Sequence, residues 1–192
     1  EVSQAAMAAA SPVRSASRVV AIAAWTPATL DAVFSTAPAL VLALIDVQDP
    51  GNLGAILRSA DALGATGVIT TLAGADPGGW KALRGAMGST FHLPVARATL
   101  AEALSYARRR GLRVAAATAG PGQPIDLAAL VEPTCLLLGN EGAGLPAAVV
   151  AAADVTLTIP MRKGANSLNV AVAAALLLYE GTRQRQARRA GA

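Results

Sequence analysis

The sequence predicts an α/β fold in which helices cover both faces of a parallel sheet. Short apolar runs of strand length alternate with helical patterns along most of the chain. These runs are apolar at nearly every position, as in strands that are buried on both faces. Hydrophobic residues make up 54% of the 192 residues but aromatic residues only 3%. Alanine, valine and leucine must therefore form the core.

The predicted strands are separated by segments long enough to return the chain to the same edge of the sheet, as parallel pairing requires. Apolar runs that fit buried strands lie at residues 40–45, 67–70, 112–117, 134–138 and 155–159, with a weaker run at 92–96. Helical patterns lie at residues 52–63, 80–87, 99–110, 145–152 and 167–185. This order of strand and helix is typical of a parallel sheet between two helical layers.

The start of the chain has a different character. Residues 1–37 are rich in alanine and serine, with a possible short strand at 19–23 and a helix start at Thr26 and Pro27. We expect this stretch to be the end of a preceding domain or a linker, and residues 38–192 to form the main domain.

Composition excludes several classes of protein. Every apolar run is interrupted before the roughly 18–20 residues that a membrane-spanning helix needs, so no membrane span is expected. The single cysteine, Cys135, lies in an apolar run and is expected to be a buried core thiol. One histidine and one cysteine cannot supply a structural zinc site, so no metal is expected. These features indicate a cytoplasmic protein.

The chain is basic, with 16 lysines and arginines against 12 acidic residues. Arginine pairs with phosphate and stacks on bases, so this charge is compatible with RNA. The excess lies at residues 108–110, at Arg162 and Lys163, and at Arg183, Arg185, Arg188 and Arg189. For residues 108–110 we favour the alternative, in which cations stabilise a helix end before Gly111.

Polar and glycine-rich segments follow three of the predicted strands, at residues 46–54, 139–146 and 159–170. Ligands of open α/β sheets bind beyond the carboxyl ends of strands, so these segments predict a ligand site. A G-x-G-x-x-A pattern begins at Gly142 and suggests a dinucleotide, but the carboxylate of Glu141 would repel a pyrophosphate. A P-loop is excluded because leucine, not lysine, follows Gly144.

The same three segments resemble the three signatures of the SpoU/TrmH family of ribose 2′-O-methyltransferases. The first reads DPGNLGAILRSADALG at residues 49–64, the second LGNEGAGL at 138–145, and the third runs from IPM at 159–161 to SLNV at 167–170. They occur in the family's order within residues 39–186. The resemblance implies a SPOUT fold, a Rossmann-like parallel sheet whose C-terminal part is threaded into a trefoil knot.

The resemblance also implies that S-adenosyl-L-methionine binds in a bent shape, largely against the backbone of the knotted loops. The positions that match the family's cofactor residues are Thr118, Leu138, Gly139, Asn140, Gly142, Ile159, Met161 and Leu168. Small or apolar residues with exposed backbone suit adenine and a sulfonium better than charged residues would. A metal is not required, because the sulfonium is already an activated electrophile.

For catalysis the resemblance points to Asn52, Arg58, Glu141, Ser167 and Asn169. A ribose 2′-hydroxyl is a poor nucleophile and needs a group that accepts its proton or stabilises the alkoxide. The favoured role of Arg58 is to stabilise the alkoxide and hold a phosphate, since arginine is nearly always protonated. The less favoured role is that of a base. RNA contacts are expected from Arg58, Arg162 and Lys163.

Several of these residues also have a purely structural alternative. Asn52 could cap the helix that follows it, and Ser167 or Asn166 could cap the last helix. Arg58 could pair with Asp61. The three signatures, taken together and in order, favour the functional interpretation.

We therefore expect an S-adenosyl-L-methionine-dependent RNA ribose 2′-O-methyltransferase domain, homodimeric, with active sites near the subunit interface. Residues 1–37 would then be the end of an N-terminal RNA-binding domain or a linker. Ribosomal RNA is favoured over transfer RNA as the substrate. The alternatives are a tRNA ribose 2′-O-methyltransferase, a non-catalytic RNA-binding module with the same fold and, more remotely, a dinucleotide-dependent oxidoreductase.

Overall fold

Seven strands form one parallel sheet in the computed structural model, which describes residues 1–11 and 18–191. The strands are β1 (Leu40–Leu44), β2 (Gly67–Thr71), β3 (Val95–Ala98), β4 (Arg113–Thr118), β5 (Gln123–Pro124), β6 (Thr134–Leu138) and β7 (Val155–Thr158). Their order across the sheet is β3-β2-β1-β6-β4-β7-β5, and neighbours pair in parallel throughout. The predicted parallel sheet is therefore confirmed.

Helices accompany the sheet on both faces. The helices of the described chain are α1 (Gln4–Ala10), α2 (Leu30–Val33), α3 (Pro50–Ala62), α4 (Trp80–Ala86), α5 (Leu100–Arg109), α6 (Ala147–Ala151) and α7 (Val170–Ala190), with short 3-10 helices at Ser89–Phe91 and Ile125–Leu127. Helix α1 belongs to neither hydrophobic cluster of the sheet. One hydrophobic cluster joins one face of the sheet to α3, α4 and α7, and a second joins the other face to α2, α5 and α6. The central strands β1 and β6 are buried along their whole length because both faces are covered.

The predicted elements after residue 38 are all present, although some of their ends differ. The weaker run at 92–96 is a strand, but it spans Val95–Ala98, after the 3-10 helix at Ser89–Phe91 and after Pro94, which has no N–H to donate. The two-residue strand β5 was not predicted, because it is too short to show any hydrophobic period. The last helix continues to Ala190 rather than ending at residue 185.

The predictions for the start of the chain were partly wrong. Residues 19–23 form no strand, and their side chains are exposed rather than packed on an apolar surface. The helix expected at Thr26 and Pro27 begins instead at Leu30, where the Thr29 side chain accepts a hydrogen bond from the N–H of Ala32 at 3.2 Å. Helix α1 was not predicted, and none of its residues is buried.

Arginines 108–110 lie at the carboxyl end of α5, as the favoured alternative predicted, and Gly111 follows in a left-handed conformation with φ of 71°. Each of the three guanidinium groups has a partner within the fold. Arg108 donates to the carbonyl of Ala152 at 2.7 Å, Arg109 to the hydroxyl of Ser105 at 2.7 Å, and Arg110 to the carboxylate of Asp31 at 2.8 Å. This part of the basic charge therefore has a structural role.

Arg185 fastens α7 to the amino-terminal ends of two central strands. Its guanidinium donates to four backbone carbonyls at 2.7–3.0 Å: those of Pro38, Ala39, Leu130 and Glu132. Burial lowers the pKa of Arg185, the neighbouring Arg189 adds to that effect, and Glu132 opposes it. Two further arginines of the tail form ion pairs: Arg183 with the buried Glu180, and Arg188 with the exposed Glu132.

Cys135 is fully buried in β6, and burial raises the pKa of its thiol to about 12. The expected core thiol is therefore confirmed. Within residues 1–11 and 18–191, no helix has both the length and the apolarity to cross a bilayer. No cluster of histidine, cysteine and carboxylate side chains suited to a metal ion occurs in that part of the chain either.

Candidate active site

The three polar segments meet at the carboxyl edge of the sheet. Strand β6 lies between β1 and β4, and β4 pairs with β7, so the loops that follow β1, β6 and β7 leave the sheet close together. They enclose a cleft of about 730 Å³. This volume is within the range of small-molecule and cofactor sites, about 300–1,000 Å³.

All eight residues expected to bind a cofactor line this cleft. They are Thr118, Leu138, Gly139, Asn140, Gly142, Ile159, Met161 and Leu168. Residues that the sequence analysis missed include Ala117, Ala119, Gly144, Leu145, Ala173 and Leu177. Most of them are alanines and leucines that resemble ordinary core residues. Helical spacing could have found Ala173 and Leu177, since side chains four positions apart share one face of α7.

The loop after β6 has a closed shape because its own polar groups bind one another. The amide N–H of Gly144 donates to the carbonyl of Asn140 at 2.9 Å, and the side chain of Asn140 accepts from the N–H of Gly142 at 2.8 Å. A Cβ on Gly139 would lie only 2.1 Å from the backbone of Gly144, so a larger residue would open the loop. The other end of the Asn140 amide donates to the carbonyl of Asp46 at 2.9 Å.

A hydrogen-bonded chain of three side chains joins the three segments. Asn52, in the first turn of α3, donates from Nδ2 to Oε1 of Glu141 at 3.0 Å. The Oδ1 atom of the same Asn52 accepts from Nδ2 of Asn169 at 3.0 Å. The Asn52 amide thus uses both ends, one toward the loop after β6 and one toward the start of α7.

Helix capping decides how these side chains are presented. Asp49 caps α3 by accepting from the N–H of Asn52 at 2.7 Å, and Pro50 follows at the first helical position. Asn169 caps α7 by accepting from the N–H of Ala171 at 2.9 Å. The alternatives in which Asn52, Ser167 or Asn166 acts as the helix cap are therefore wrong. The side chain of Asn52 is left available for its two neighbours.

Glu141 is held as a carboxylate by hydrogen bonds. Partial burial acts to raise its pKa, but hydrogen bonds from the Asn52 amide and from backbone N–H groups at Glu141, Gln48 and Asp49 outweigh burial and lower the pKa. The two contacts to Gln48 and Asp49 are each 3.4 Å long. Glu141 therefore carries its negative charge at neutral pH and binds the loop after β1.

The remaining predicted site residues are not part of this hydrogen-bonded chain, and most of them lie outside the cleft lining. Ser167 lines the cleft and is exposed. Arg58 is exposed on α3, almost two turns beyond Asn52, and it is not among the residues that line the cleft. Within the described chain Arg58 has no ion pair, and its proposed partner Asp61 contacts His92 at 3.3 Å instead. Arg162 and Lys163 are exposed in a turn outside the cleft lining.

The charge of the cleft favours a cationic ligand. Of the side chains that line it, Glu141 alone is ionised at neutral pH. The cleft offers no lysine or arginine to a pyrophosphate, which agrees with the argument against a dinucleotide. Apolar side chains from Leu138, Ile159 and Leu168 could hold a flat ring, and one carboxylate could attract a sulfonium or an ammonium. These residues therefore fit S-adenosyl-L-methionine.

Comparison with known proteins agrees with the resemblance seen in the sequence. The sequence model of the SpoU rRNA Methylase family matches residues 39–179. The 23S rRNA (guanosine(2553)-2′-O)-methyltransferase RlmP of Bacillus subtilis (strain 168) is 42% identical over 139 residues, which cover 72% of this chain and 56% of that protein. The 23S rRNA (uridine(2479)-2′-O)-methyltransferase of Streptomyces viridochromogenes is 42% identical over 142 residues, covering 71% of this chain and 50% of that protein.

Solved structures of similar proteins have the same fold. The SpoU methyltransferase AviRb from Streptomyces viridochromogenes, in complex with the cofactor AdoMet, superposes with a TM-score of 0.78 at 37% identity. The match covers 84% of this chain and 66% of that one. The chain spans about half the length of the curated relatives that it matches.

Proposed function

Because the chain belongs to the SpoU rRNA Methylase family, we propose that it transfers the methyl group of S-adenosyl-L-methionine to a ribose 2′-hydroxyl of RNA. The observation that carries this proposal is the hydrogen-bonded chain from Glu141 through Asn52 to Asn169, at the mouth of a cleft with a single charged side chain. A linker between strand and helix would not need such a chain. The hydrogen bonds between these three side chains hold the three polar segments in one arrangement.

S-adenosyl-L-methionine would supply an electrophilic methyl group on a sulfonium. The cleft residues would hold the adenine between apolar side chains of the loops after β6 and β7, with the backbone of 138–142 providing polar contacts. The carboxylate of Glu141 would lie near the positive end of the ligand. AdoMet is bound in the similar AviRb structure, and this supports the assignment.

The 2′-oxygen of the ribose would form a bond to the methyl carbon as the bond between that carbon and the sulfonium sulfur breaks, which releases S-adenosyl-L-homocysteine. The 2′-hydroxyl proton would pass to solvent water. Asn52 and Asn169 present amide groups at the cleft mouth and would orient the ribose, with Ser167 beside them. Arg58 would stabilise the developing alkoxide and bind a neighbouring phosphate. Arg162 and Lys163, exposed and without ion pairs in the described chain, would bind the RNA backbone.

Arg58 lies outside the cleft of its own subunit, and a homodimer accounts for this. Helix α7 exposes an apolar stripe of Val172, Leu176 and Tyr179, which are 48%, 38% and 58% exposed. Their spacing of four and three residues places them on one exposed face of α7, and α7 also packs against α3, the helix that carries Arg58. Pairing of this stripe with a second copy would bring Arg58 of one subunit toward the cleft of the other.

We favour ribosomal RNA as the substrate because the two curated relatives described above are named 23S rRNA methyltransferases. A tRNA ribose 2′-O-methyltransferase is the alternative within the family. For either RNA substrate, residues 1–37 would be the end of an RNA-binding domain or a linker. The protein would act in the cytoplasm, where its RNA is.

Two measurements test the proposal. Calorimetry should detect binding of S-adenosyl-L-methionine and no binding of NAD. Binding of NAD without binding of S-adenosyl-L-methionine would contradict the proposal. Radiolabelled methyl transfer from S-adenosyl-L-methionine to purified rRNA and tRNA, followed by nuclease digestion, should yield 2′-O-methylated nucleotides from rRNA. Methyl-donor binding without transfer to either RNA would favour the non-catalytic RNA-binding module.

A further inference from the structure

A second surface, away from the cleft lining, combines exposed apolar side chains with cations that have no carboxylate partner in the described part of the chain. It consists of Trp80, Lys81, Arg84 and Met87 on and just after α4, and Phe91 at the end of the following 3-10 helix. We call these five residues the α4 surface. Trp80, Met87 and Phe91 are 45%, 70% and 61% exposed. The opposite face of α4 carries Ala82 and Ala86, which are fully buried, so the exposed residues share one side of the helix.

Met87 occupies a backbone conformation that a methionine rarely adopts. Its φ of 51° and ψ of 36° are left-handed, at the helix end where glycine or asparagine is usual. The conformation costs roughly 1 kcal/mol for a residue with a Cβ. The exposed side chain receives little packing in return. A strained position that presents an apolar side chain to solvent favours a role in binding.

The charge of the α4 surface is positive and uncompensated. Neither Lys81 nor Arg84 has a carboxylate partner among the described residues, and Lys81 lies 5.6 Å from the centre of the Trp80 ring. The nearby carboxylates already have partners. Asp76 accepts from the N–H of Gly78 at 3.0 Å, and Asp61 contacts His92 at 3.3 Å. A polyanion with apolar faces is complementary to this surface.

The α4 surface lies next to Arg58. Helices α3 and α4 meet at Gly54, where an added Cβ would lie 2.4 Å from the carbonyl oxygen of Ala82. Further along α3, Asp61 contacts His92, the residue directly after Phe91. Arg58 lies on α3 between these two contacts and is exposed. A ligand on the α4 surface would therefore extend toward the arginine proposed to act in catalysis.

We propose that the α4 surface binds single-stranded RNA flanking the modified nucleotide, with bases contacting Phe91 and Met87 and phosphates held by Lys81 and Arg84. The assignment rests on the proposed RNA methyltransferase function. Aromatic side chains bind unpaired bases of any sequence by stacking, whereas paired bases of a duplex hide their faces. The α4 surface is therefore selective for unpaired RNA.

The test measures binding of a fluorescein-labelled single-stranded RNA of mixed sequence to the full chain by fluorescence anisotropy. The variants are Phe91→Ala, Met87→Gly and Arg84→Gln. Met87→Gly relieves the left-handed strain, so thermal unfolding of that variant, measured beside RNA binding, separates a loss of binding from a loss of structure. Two variants away from the surface are controls: Leu127→Ala, whose side chain is 69% exposed, and Arg109→Gln on α5, which packs on the other face of the sheet.

Phe91→Ala is expected to weaken single-strand binding roughly 5- to 160-fold, the range that base stacking on aromatic residues spans. Met87→Gly should weaken it by a smaller factor, with thermal stability equal to or above that of the unmodified chain. Arg84→Gln should reduce the salt dependence of binding by about 0.7 in the log–log slope, one phosphate contact on a single strand. The controls should bind like the unmodified chain, and the matching duplex should bind more weakly.

Three results would overturn the assignment. The first is equal RNA affinity for all the variants. The second is no binding by the unmodified chain up to about 100 µM, the weak limit of non-specific nucleic-acid affinity. The third is a change in molecular mass of Phe91→Ala by light scattering, which would make this surface an interface between copies. Radiolabelled methyl transfer and calorimetry with S-adenosyl-L-methionine on the same samples separate these failures from failure of the proposed function. That failure would remove methyl transfer by the unmodified chain, with or without loss of methyl-donor binding.

Discussion

The side chain of Asn169 donates from Nδ2 to Oδ1 of Asn52 at 3.0 Å, across 117 residues of sequence. Both residues lie at the start of a helix, and Asn169 also caps its own helix with Oδ1. One amide therefore orders the beginning of α7 and fastens it to α3. This contact connects the first and third family signatures, and Glu141 adds the second.

The first prediction concerns the energetic coupling of this pair. In a double-mutant cycle, Asn52→Ala and Asn169→Ala should show a coupling free energy of unfolding of about 1 kcal/mol, because each removes the same hydrogen bond. Urea unfolding of the single and double variants measures it. Asn166→Ala paired with Asn52→Ala is the control, since Asn166 lines the same cleft and should not couple. Additive effects for Asn52 and Asn169 would contradict the geometry.

The second prediction is a pH dependence that comes from Glu141. Its pKa in the folded chain lies below the ordinary value of 4.5, so folding stabilises the ionised form. That stabilisation is complete above pH 4.5 and is lost as the pH falls through the lower, folded-state pKa. The difference in unfolding free energy between the unmodified chain and Glu141→Gln should therefore shrink as the pH falls from 4.5 through the folded-state pKa of Glu141. A difference that stays constant with pH would contradict ionised hydrogen bonding at Glu141.

The third prediction separates catalysis from cofactor binding. Arg58→Ala should abolish methyl transfer while changing affinity for S-adenosyl-L-methionine little, because Arg58 is outside the cleft lining. Stability should change by less than about 0.5 kcal/mol, since the side chain is exposed and has no ion pair in the described chain. Arg58→Lys keeps the charge and should restore part of the activity if the role is electrostatic. Loss of cofactor affinity in Arg58→Ala would contradict the assignment.

The fourth prediction is that Arg185 contributes to stability and not to RNA binding. Arg185→Met keeps the apolar stem but removes four hydrogen bonds to backbone carbonyls, and should lower the free energy of unfolding by about 3 kcal/mol. The carbonyls of Ala39 and Glu132 keep a donor in Thr134. Arg188→Ala removes only an exposed ion pair with Glu132 and should cost less than about 1 kcal/mol. Chemical denaturation of both variants measures the contrast. Equal losses would mean that the Arg185 contacts contribute no more than a surface pair.

Much of the secondary structure could be predicted because local sequence signals agree with the final packing. The apolar run at Thr134–Leu138 has the same bounds as β6, since all of its residues are buried on both faces of the sheet. The start of α3 was placed two residues late, at Asn52, because Asp49 and Pro50 were assigned to the preceding loop. At the beginning of the chain the signals were weak: residues 19–23, predicted as a strand, form none, and they are exposed.

The candidate site was predictable in composition but not in arrangement. The signatures identified Asn52, Glu141 and Asn169 as one group, yet single residues also fitted simple capping roles. The structure shows that Asp49 and Asn169 are the caps, which leaves Asn52 to bind two partners. The position of Arg58 outside the cleft could not be inferred from its membership of the first signature. The trefoil knot that the resemblance implies stays a prediction.

By itself, the sequence determined six of the seven strands of the described sheet, the main helices, the buried thiol and the identity of the polar residues at three strand ends. Those features depend on hydrophobic pattern and residue chemistry within short segments. Only the tertiary structure decided which side chains meet. The sheet order sets β6 between β1 and β4, so loops far apart in sequence leave the same edge and enclose one cleft. Contacts such as Asn52 with Asn169 arise from that strand order, which no local pattern encodes.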